Sequence, residues 1–219
     1  MDLNQARFNM IEQQIRPWEV LDPQVLELLM AVRREDFVPA AHRALAFVDM
    51  EIPTGNAPGQ VMLAPRVQAR LVQDLTVKKT DKVLEIGCGT GYTTALLAKL
   101  GAQVLALEID AGLAKQASAN LQQAGIANAQ VRQADGSQGA ASDGPFDVIL
   151  LSGSVAEVPQ ALLDQLSVGG RLAAIVGDEP MMRATVVTRT GAQSFVSTQP
   201  WDANAPRLSG FAETPAFQF

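Results

Sequence analysis

The residues best suited to chemistry in this 219-residue chain fall in one stretch, Val83-Leu84-Glu85-Ile86-Gly87-Cys88-Gly89-Thr90-Gly91-Tyr92. A short apolar run passes into three alternate glycines, and a helical pattern starts directly behind them. Glycine tolerates positive φ and lets a ligand lie against bare backbone, while the unpaired N–H groups that open a helix favour electron-rich ligand atoms. Gly87, Cys88, Gly89 and Gly91 are therefore expected to cradle a cofactor. A dinucleotide fingerprint would need a third glycine at position 92, where Tyr92 stands with a ring that would obstruct the close helix–strand packing glycine allows. A nicotinamide-dependent oxidoreductase is thus a distant alternative.

Glu108 closes the next apolar run, about twenty residues beyond the loop, where a carboxylate can accept from both hydroxyls of a ribose. Each such bond to a charged acceptor is worth roughly 1.5–3 kcal/mol. Alone, Glu108 would read as a surface acid at a strand end; with the loop upstream it and the adjoining Ile109 read as cofactor contacts. Asp135-Gly136 follows the third strand, so that Asp135 could accept from an adenine amino group and Gly136 leave room for the ring, although Asp-Gly by itself is ordinarily a turn. Glu85, inside the first strand, either pairs with loop N–H groups near the amino-acid end of a cofactor or is a structural acid. If buried, it must have a partner.

Other chemistry is thinly represented. His42, the only histidine, reads as a structural or surface residue. Cys88 sits at a helix start, which could lower its pKa, but a small side chain filling a slot between glycines explains it as well. No His/Cys cluster has metal-ligand spacing. Ser152-Gly153-Ser154 is not a nucleophile elbow, yet Ser152 ends the fourth strand, where open sheets hold their ligands, and is a candidate for lining an acceptor pocket.

The elements that must hold these residues change rhythm along the chain. Phe8, Ile11 and Ile15 give a first helix ended by Pro17, and Asp22-Pro23 opens a second through Val25, Leu26, Leu28, Leu29 and Val32. Three prolines and two glycines make 52–65 an irregular loop, and helical spacing resumes at Val67, Leu71, Val72 and Leu75. From there strands at 83–86, 104–107, 130–133, 147–151 and 171–176 alternate with helices at 93–100, 111–124 and 159–166, which means a parallel sheet. Runs 184–189 and 194–198 are too close for a crossover helix and should form a hairpin. The expectation is an α/β, Rossmann-like, seven-stranded and mostly parallel sheet with a C-terminal antiparallel pair. Residues 1–80 form a helical cap with a substrate-side loop, and 81–219 a cofactor-binding core.

Seventeen Lys and Arg against 23 Asp and Glu give a net charge of −6, which opposes the phosphate electrostatics most nucleic-acid binders need. No apolar run approaches the ~18 residues of a membrane span, and no secretory pattern opens the chain. A single cysteine fits a reducing compartment, so cytoplasm is expected, with neither nucleic acid nor membrane as partner.

These residues resemble the protein-L-isoaspartate O-methyltransferases over nearly the whole chain from Leu21 onward. The resemblance is carried by Val25-Leu26 through Arg34-Glu35-Asp36-Phe37-Val38-Pro39, Ile52-Pro53 with Gly59-Gln60 before Pro65, the stretch from Val83 to Tyr92, Asp135-Gly136, Gly144-Pro145-Phe146-Asp147, and Val158-Pro159 with Ala161-Leu162-Leu163-Asp164-Gln165-Leu166 and Gly169-Gly170-Arg171-Leu172. It implies a class I methyltransferase that uses S-adenosyl-L-methionine, held by Gly87, Gly89, Gly91, Glu108 and Asp135-Gly136. It also implies a sheet whose last strands are ordered unusually for that class.

The chain departs from the family on the substrate side. Where the family has Thr-x-Ser-x-Pro, with a serine that the resemblance places beside the substrate carboxylate, this chain reads Val61-Met62-Leu63-Ala64-Pro65. Leucine cannot donate a hydrogen bond. Two extra residues around Asn56-Ala57-Pro58 lengthen the loop, and the ending Pro215-Ala216-Phe217-Gln218-Phe219 is not the family's usual C-terminal stretch. Met62, Leu63 and Ser152 are therefore expected beside a protein, peptide or small-molecule methyl acceptor, with little isoaspartyl activity. The alternative is a module that binds the cofactor without transferring methyl.

Overall fold

The computed structural model describes residues 2–55 and 57–213; Asn56 of the lengthened loop and the ending at 215–219 lie outside the described residues. The N-terminal helix α1 (Leu3–Met10) is capped by the Asp2 carboxylate, which accepts from Asn4 N at 2.9 Å. It widens into a π-helical turn, Ile11–Ile15, before Pro17 ends it. Helix α2 (Pro23–Ala31) starts as its sequence dictates, with Asp22 accepting from Gln24 N at 2.8 Å and Pro23 in the first turn. The stretch at 52–65, expected to be irregular throughout, contains a small clasp: β1 (Ile52–Pro53) pairs antiparallel with β2 (Val61–Met62), closed by Thr54 N donating to Gln60 O at 2.8 Å. Helix α3 (Pro65–Leu75) follows.

The remaining elements are β3 (Lys82–Ile86), α4 (Tyr92–Leu100), β4 (Gln103–Glu108), α5 (Ala111–Gln123), β5 (Ala129–Gln133), β6 (Phe146–Val155), α6 (Gln160–Leu163), β7 (Leu166–Val176), β8 (Arg183–Arg189) and β9 (Phe195–Asp202). The main sheet has the order β5-β4-β3-β6-β7-β8-β9, parallel from β5 to β7 and antiparallel through β8 and β9. This is the seven-stranded, mostly parallel sheet with a terminal antiparallel pair that the sequence predicts. Several boundaries differ, and β9 runs on to Asp202. The helix expected over 159–166 is one short turn, because Leu166 already pairs with Phe146 to begin β7 and the left-handed Gly169 (φ 85°) bends that strand. Strand β6 runs past 151 to Val155, with its register against β7 shifted between Leu150 and Ser154.

Burial follows from the layering. A sheet covered on both faces needs near-continuous apolar strands, and Val83, Leu84 and Ile86 or Val148, Ile149, Leu150 and Leu151 supply them. On one face, Met10, Leu29, Phe37 and Leu71 of the N-terminal segment share a single apolar cluster with Tyr92, Leu96, Val148 and Ile175. The other face is filled by Leu84, Leu105, Phe146 and Leu162 among others. Among the described residues no helix is long and apolar enough to cross a membrane.

Candidate functional site

The chain steps outward from β3 to β4 and β5 and then returns to place β6 on the other side of β3, so the sheet has its topological switch point at the carboxyl end of β3. Open α/β sheets bind ligands in the crevice at that point. All three glycines of the β3–α4 loop have positive φ: 78° at Gly87, 55° at Gly89 and 89° at Gly91. They do different jobs. A Cβ on Gly89 would meet nothing within 4 Å, so its backbone lies open to the crevice, whereas a Cβ on Gly91 would stand 3.3 Å from that of Ala117. Gly91 thus lets α4 begin close against α5. Its replacement by alanine is expected to cost about 1–2 kcal/mol from the left-handed backbone alone, more with the Ala117 contact, read as a lower Tm.

Glu108, only 6% exposed, stands at the end of β4 with both carboxylate oxygens engaged: Oε2 accepts from Gly89 N at 2.8 Å and Oε1 from Asp110 N at 3.0 Å. It therefore shapes the glycine loop as well as bordering the crevice. Gly136 is required on the opposite side, since a Cβ there would fall 2.4 Å from Ile86 Cγ2. Gly87, Gly89, Glu108, Ile109, Gly136 and Ser152 line one continuous cavity. Asp135 is exposed at the rim and does not line it; its Oδ1 accepts from Ser137 N at 2.8 Å, the turn geometry that Asp-Gly favours. Cys88 faces a smaller cavity with Met62, Leu63 and Ser152, and burial pushes its thiol well above the usual range. His42 lies in the 3-10 turn Ala40–Leu45 and lines neither space.

Glu85 has no exposed surface. The partner that a buried carboxylate must have comes as two hydroxyls: Thr94 Oγ1 donates at 2.5 Å and Ser152 Oγ at 2.7 Å. Burial raises its pKa to about 7, against the pull of these two donors and with a further push from the negative charge of Glu108.

On the acceptor side, Leu63 is 4% exposed and its carbonyl accepts from Arg34 Nη2 at 2.9 Å. Arg34 is itself fully buried, lies 5.1 Å from the Tyr92 ring centre, and bonds through Nη1 to Gln68, which in turn donates to Thr93 Oγ1 at 2.8 Å. Burial lowers its pKa to about 10, so it remains a cation at neutral pH. A chain of polar contacts thus joins the acceptor-side segment to the start of α4.

One wall was not foreseen. Residues 205–211 lie along the end of β6, where Ser154 N donates to Pro206 O at 2.8 Å and Leu208 N to Ser154 O at 2.9 Å. Leu208 seats on glycine: a Cβ on Gly87 would be 2.5 Å from Leu208 Cδ2, and one on Gly153 would be 2.7 Å from it. Glycine inside a strand marks a close approach, so Gly153 was the legible signal for this strap.

A model of the family described as Protein-L-isoaspartate(D-aspartate) O-methyltransferase matches residues 5–202. Protein-L-isoaspartate O-methyltransferase 1 of Rhodopseudomonas palustris (strain HaA2) is 38% identical over 205 residues, covering 93% of this chain and 83% of that protein. Protein-L-isoaspartate O-methyltransferase of Koribacter versatilis (strain Ellin345) is 38% identical over 204 residues, covering 93% and 90%. A beta-aspartate methyltransferase from Plasmodium falciparum, solved in complex with S-adenosyl-L-homocysteine, shares the fold with a TM-score of 0.79 at 18% identity, over 95% of this chain and 99% of that one.

Proposed function

The chain belongs to the protein-L-isoaspartate(D-aspartate) O-methyltransferase family, and we propose that it binds S-adenosyl-L-methionine in the crevice at the carboxyl ends of β3, β4 and β6. It is an S-adenosylmethionine-dependent methyltransferase of that family. When bound, the cofactor supplies a methyl group activated by a positively charged sulfur. The residues present fit it. Open backbone at Gly89 gives room that a Cβ would fill, Gly87 lets Leu208 seat against the loop, and each oxygen of Glu108 keeps a lone pair beyond its one backbone donor for a ribose hydroxyl. Ile109 offers an apolar surface to the base, Gly136 lines the crevice beside it while packing closely on Ile86, and Asp135 meets its amino group from the rim. Glu85 stands behind the loop, with Cys88 and Gly91 setting the loop's path.

The observation that carries this reading is the pairing of an open left-handed glycine with a buried acid across 2.8 Å of hydrogen bond at the sheet's switch point. Calorimetry with S-adenosylhomocysteine and with a nicotinamide dinucleotide tests it; heat from the second and none from the first would sink it.

The acceptor is a protein or peptide group presented between Met62-Leu63 and Ser152. A net charge of −6 speaks against nucleic acid, and one buried free thiol, Cys88, suits the cytoplasm. The chain's contribution at this point is to exclude water and to orient the acceptor, because Leu63 has no donor to offer a carboxylate. Transfer of radiolabelled methyl to an isoaspartyl peptide is therefore expected to be slow, and brisk turnover would show that Leu63 does not limit the reaction. In the same assay Leu63→Ser should raise turnover about tenfold if the missing hydroxyl is the obstacle, the worth of one hydrogen bond. No gain would assign the obstacle to the lengthened loop or to the strap at 205–211.

A further inference from the structure

Behind Met62 and Leu63 lies a small cavity with about 20 Å³ of room, enough for one water-sized group. None of its lining residues is acidic. Cys88 and Tyr92 both line it and both keep their protons at neutral pH, because burial pushes the thiol well above its usual range and the phenol to about 12. Glu85 stands behind Ser152, drawn by burial toward its neutral form, and Glu108 lies beyond Gly89 with both oxygens on backbone N–H groups. Thr90, another lining residue, is only 3% exposed. Its carbonyl is fixed by Asn120 Nδ2 at 2.9 Å, yet its Oγ1 is buried and meets no partner among the described residues. A buried hydroxyl in that position calls for one.

A positive charge stands behind the same walls. Arg34 donates to Leu63 O at 2.9 Å, bonds to Gln68 and lies 5.1 Å from the Tyr92 ring centre, and all three of these residues line the cavity. The guanidinium is fully buried and makes no ion pair among the described residues; the neighbouring carboxylates are taken, Glu35 by Arg7 and Asp49 by Arg66 at 2.6 Å. A buried cation without a counter-ion is costly, and an anion in the cavity would relieve that cost. Thr90 also borders a wider groove toward α5, but there Asp36 and Asp110 outnumber Arg43 and disfavour an anion.

We propose that the small cavity holds one oxygen of the acceptor's carboxylate, with Thr90 Oγ1 donating to it and Arg34 as its counter-charge. This rests on the methyltransferase reading given above, and it places in the β3–α4 loop the donor that Leu63 cannot supply. Recognition and turnover then part company. Lone pairs given to Thr90 are not offered to sulfur, so a carboxylate held well here agrees with the slow transfer expected above.

The test uses the full chain loaded with S-adenosylhomocysteine. An isoaspartyl peptide, and the same peptide with its free carboxylate converted to a carboxamide, are titrated in a calorimeter. The carboxylate should bind about tenfold more tightly. The preference should survive near 1 M salt, where exposed charges more than about 3 Å apart are screened and buried ones much less. Thr90→Val should weaken the carboxylate peptide about tenfold and the carboxamide about threefold, because a hydrogen bond to a charged acceptor is worth more than one to a neutral acceptor. Arg34→Met should abolish the preference and Arg34→Lys keep most of it; should Arg34→Met not fold, Thr90→Val and the salt series decide.

Equal binding of the two peptides, a preference lost in salt, or equal weakening of both peptides by Thr90→Val overturns the inference and leaves the methyltransferase reading standing. That reading fails at an earlier step, when S-adenosylhomocysteine gives no heat before either peptide is added, and the inference fails with it.

Discussion

Alanine in place of Glu108 is expected to weaken binding of S-adenosylhomocysteine by at least about a hundredfold. Two ribose hydroxyls donating to one carboxylate are worth roughly 1.5–3 kcal/mol each, so losing both takes away about 3 kcal/mol or more. The loss is compounded because Glu108 Oε2 also anchors Gly89 N at 2.8 Å, which holds the open loop in place. Glutamine keeps the shape and one acceptor oxygen, so Glu108→Gln should fall between, near tenfold by the same arithmetic. Calorimetric titration of the three proteins is the measurement. An alanine variant that binds as the parent does would remove Glu108 from the cofactor site.

The second large effect concerns stability and pH. The Glu85 carboxyl has its ordinary pKa of 4.5 when unfolded and about 7 when folded, raised chiefly by burial. A raised folded value means that stability is fully present below 4.5 and is lost as pH climbs toward 7, because the folded state increasingly encloses a charge. Across that window the loss is about 3 kcal/mol, at 1.36 kcal/mol per unit. The groups facing Glu85 are the neutral hydroxyls of Thr94 and Ser152, with Glu108 adding repulsion. Glu85→Gln removes the charge while keeping polar atoms for both hydroxyls. The variant should match the parent near pH 4.5 and exceed it by about 3 kcal/mol above pH 7, a Tm gain on the order of 6–12 °C for a chain of this size. Melting curves of both proteins at stepped pH check this, and a difference that does not change with pH would contradict it.

Much of the site could be read from residue types because its geometry is local. Three glycines in alternate positions between an apolar strand and a helix specify their own conformation, and Glu108 ends the strand that pairs beside them. Glu85 was legible as an acid in need of a partner, but not as one held by Thr94, a turn into the next helix, and by Ser152, 67 residues away. The strap at 205–211 has neither helical nor strand period, and its place is set by one long-range bridge to Ser154. Arg34 shows the same limit: its reach to Leu63 O across 29 residues depends on tertiary packing, not on spacing. The shortened α6 reflects competition the pattern could not weigh, in which pairing of Leu166 with Phe146 overrides a helical run.

The relay from Leu63 through Arg34 and Gln68 to Thr93 has a thermodynamic corollary. Both its ends line the small cavity and Leu63 also lines the main crevice, so on the proposed reading, with the cofactor in the crevice and the acceptor at Leu63, tightening by either guest would be felt by the other. Linkage then demands symmetry: whatever factor a resident nucleoside confers on recognition of the protein partner, the partner must confer on retention of the nucleoside. Loosening the buried guanidinium would degrade both by one common ratio.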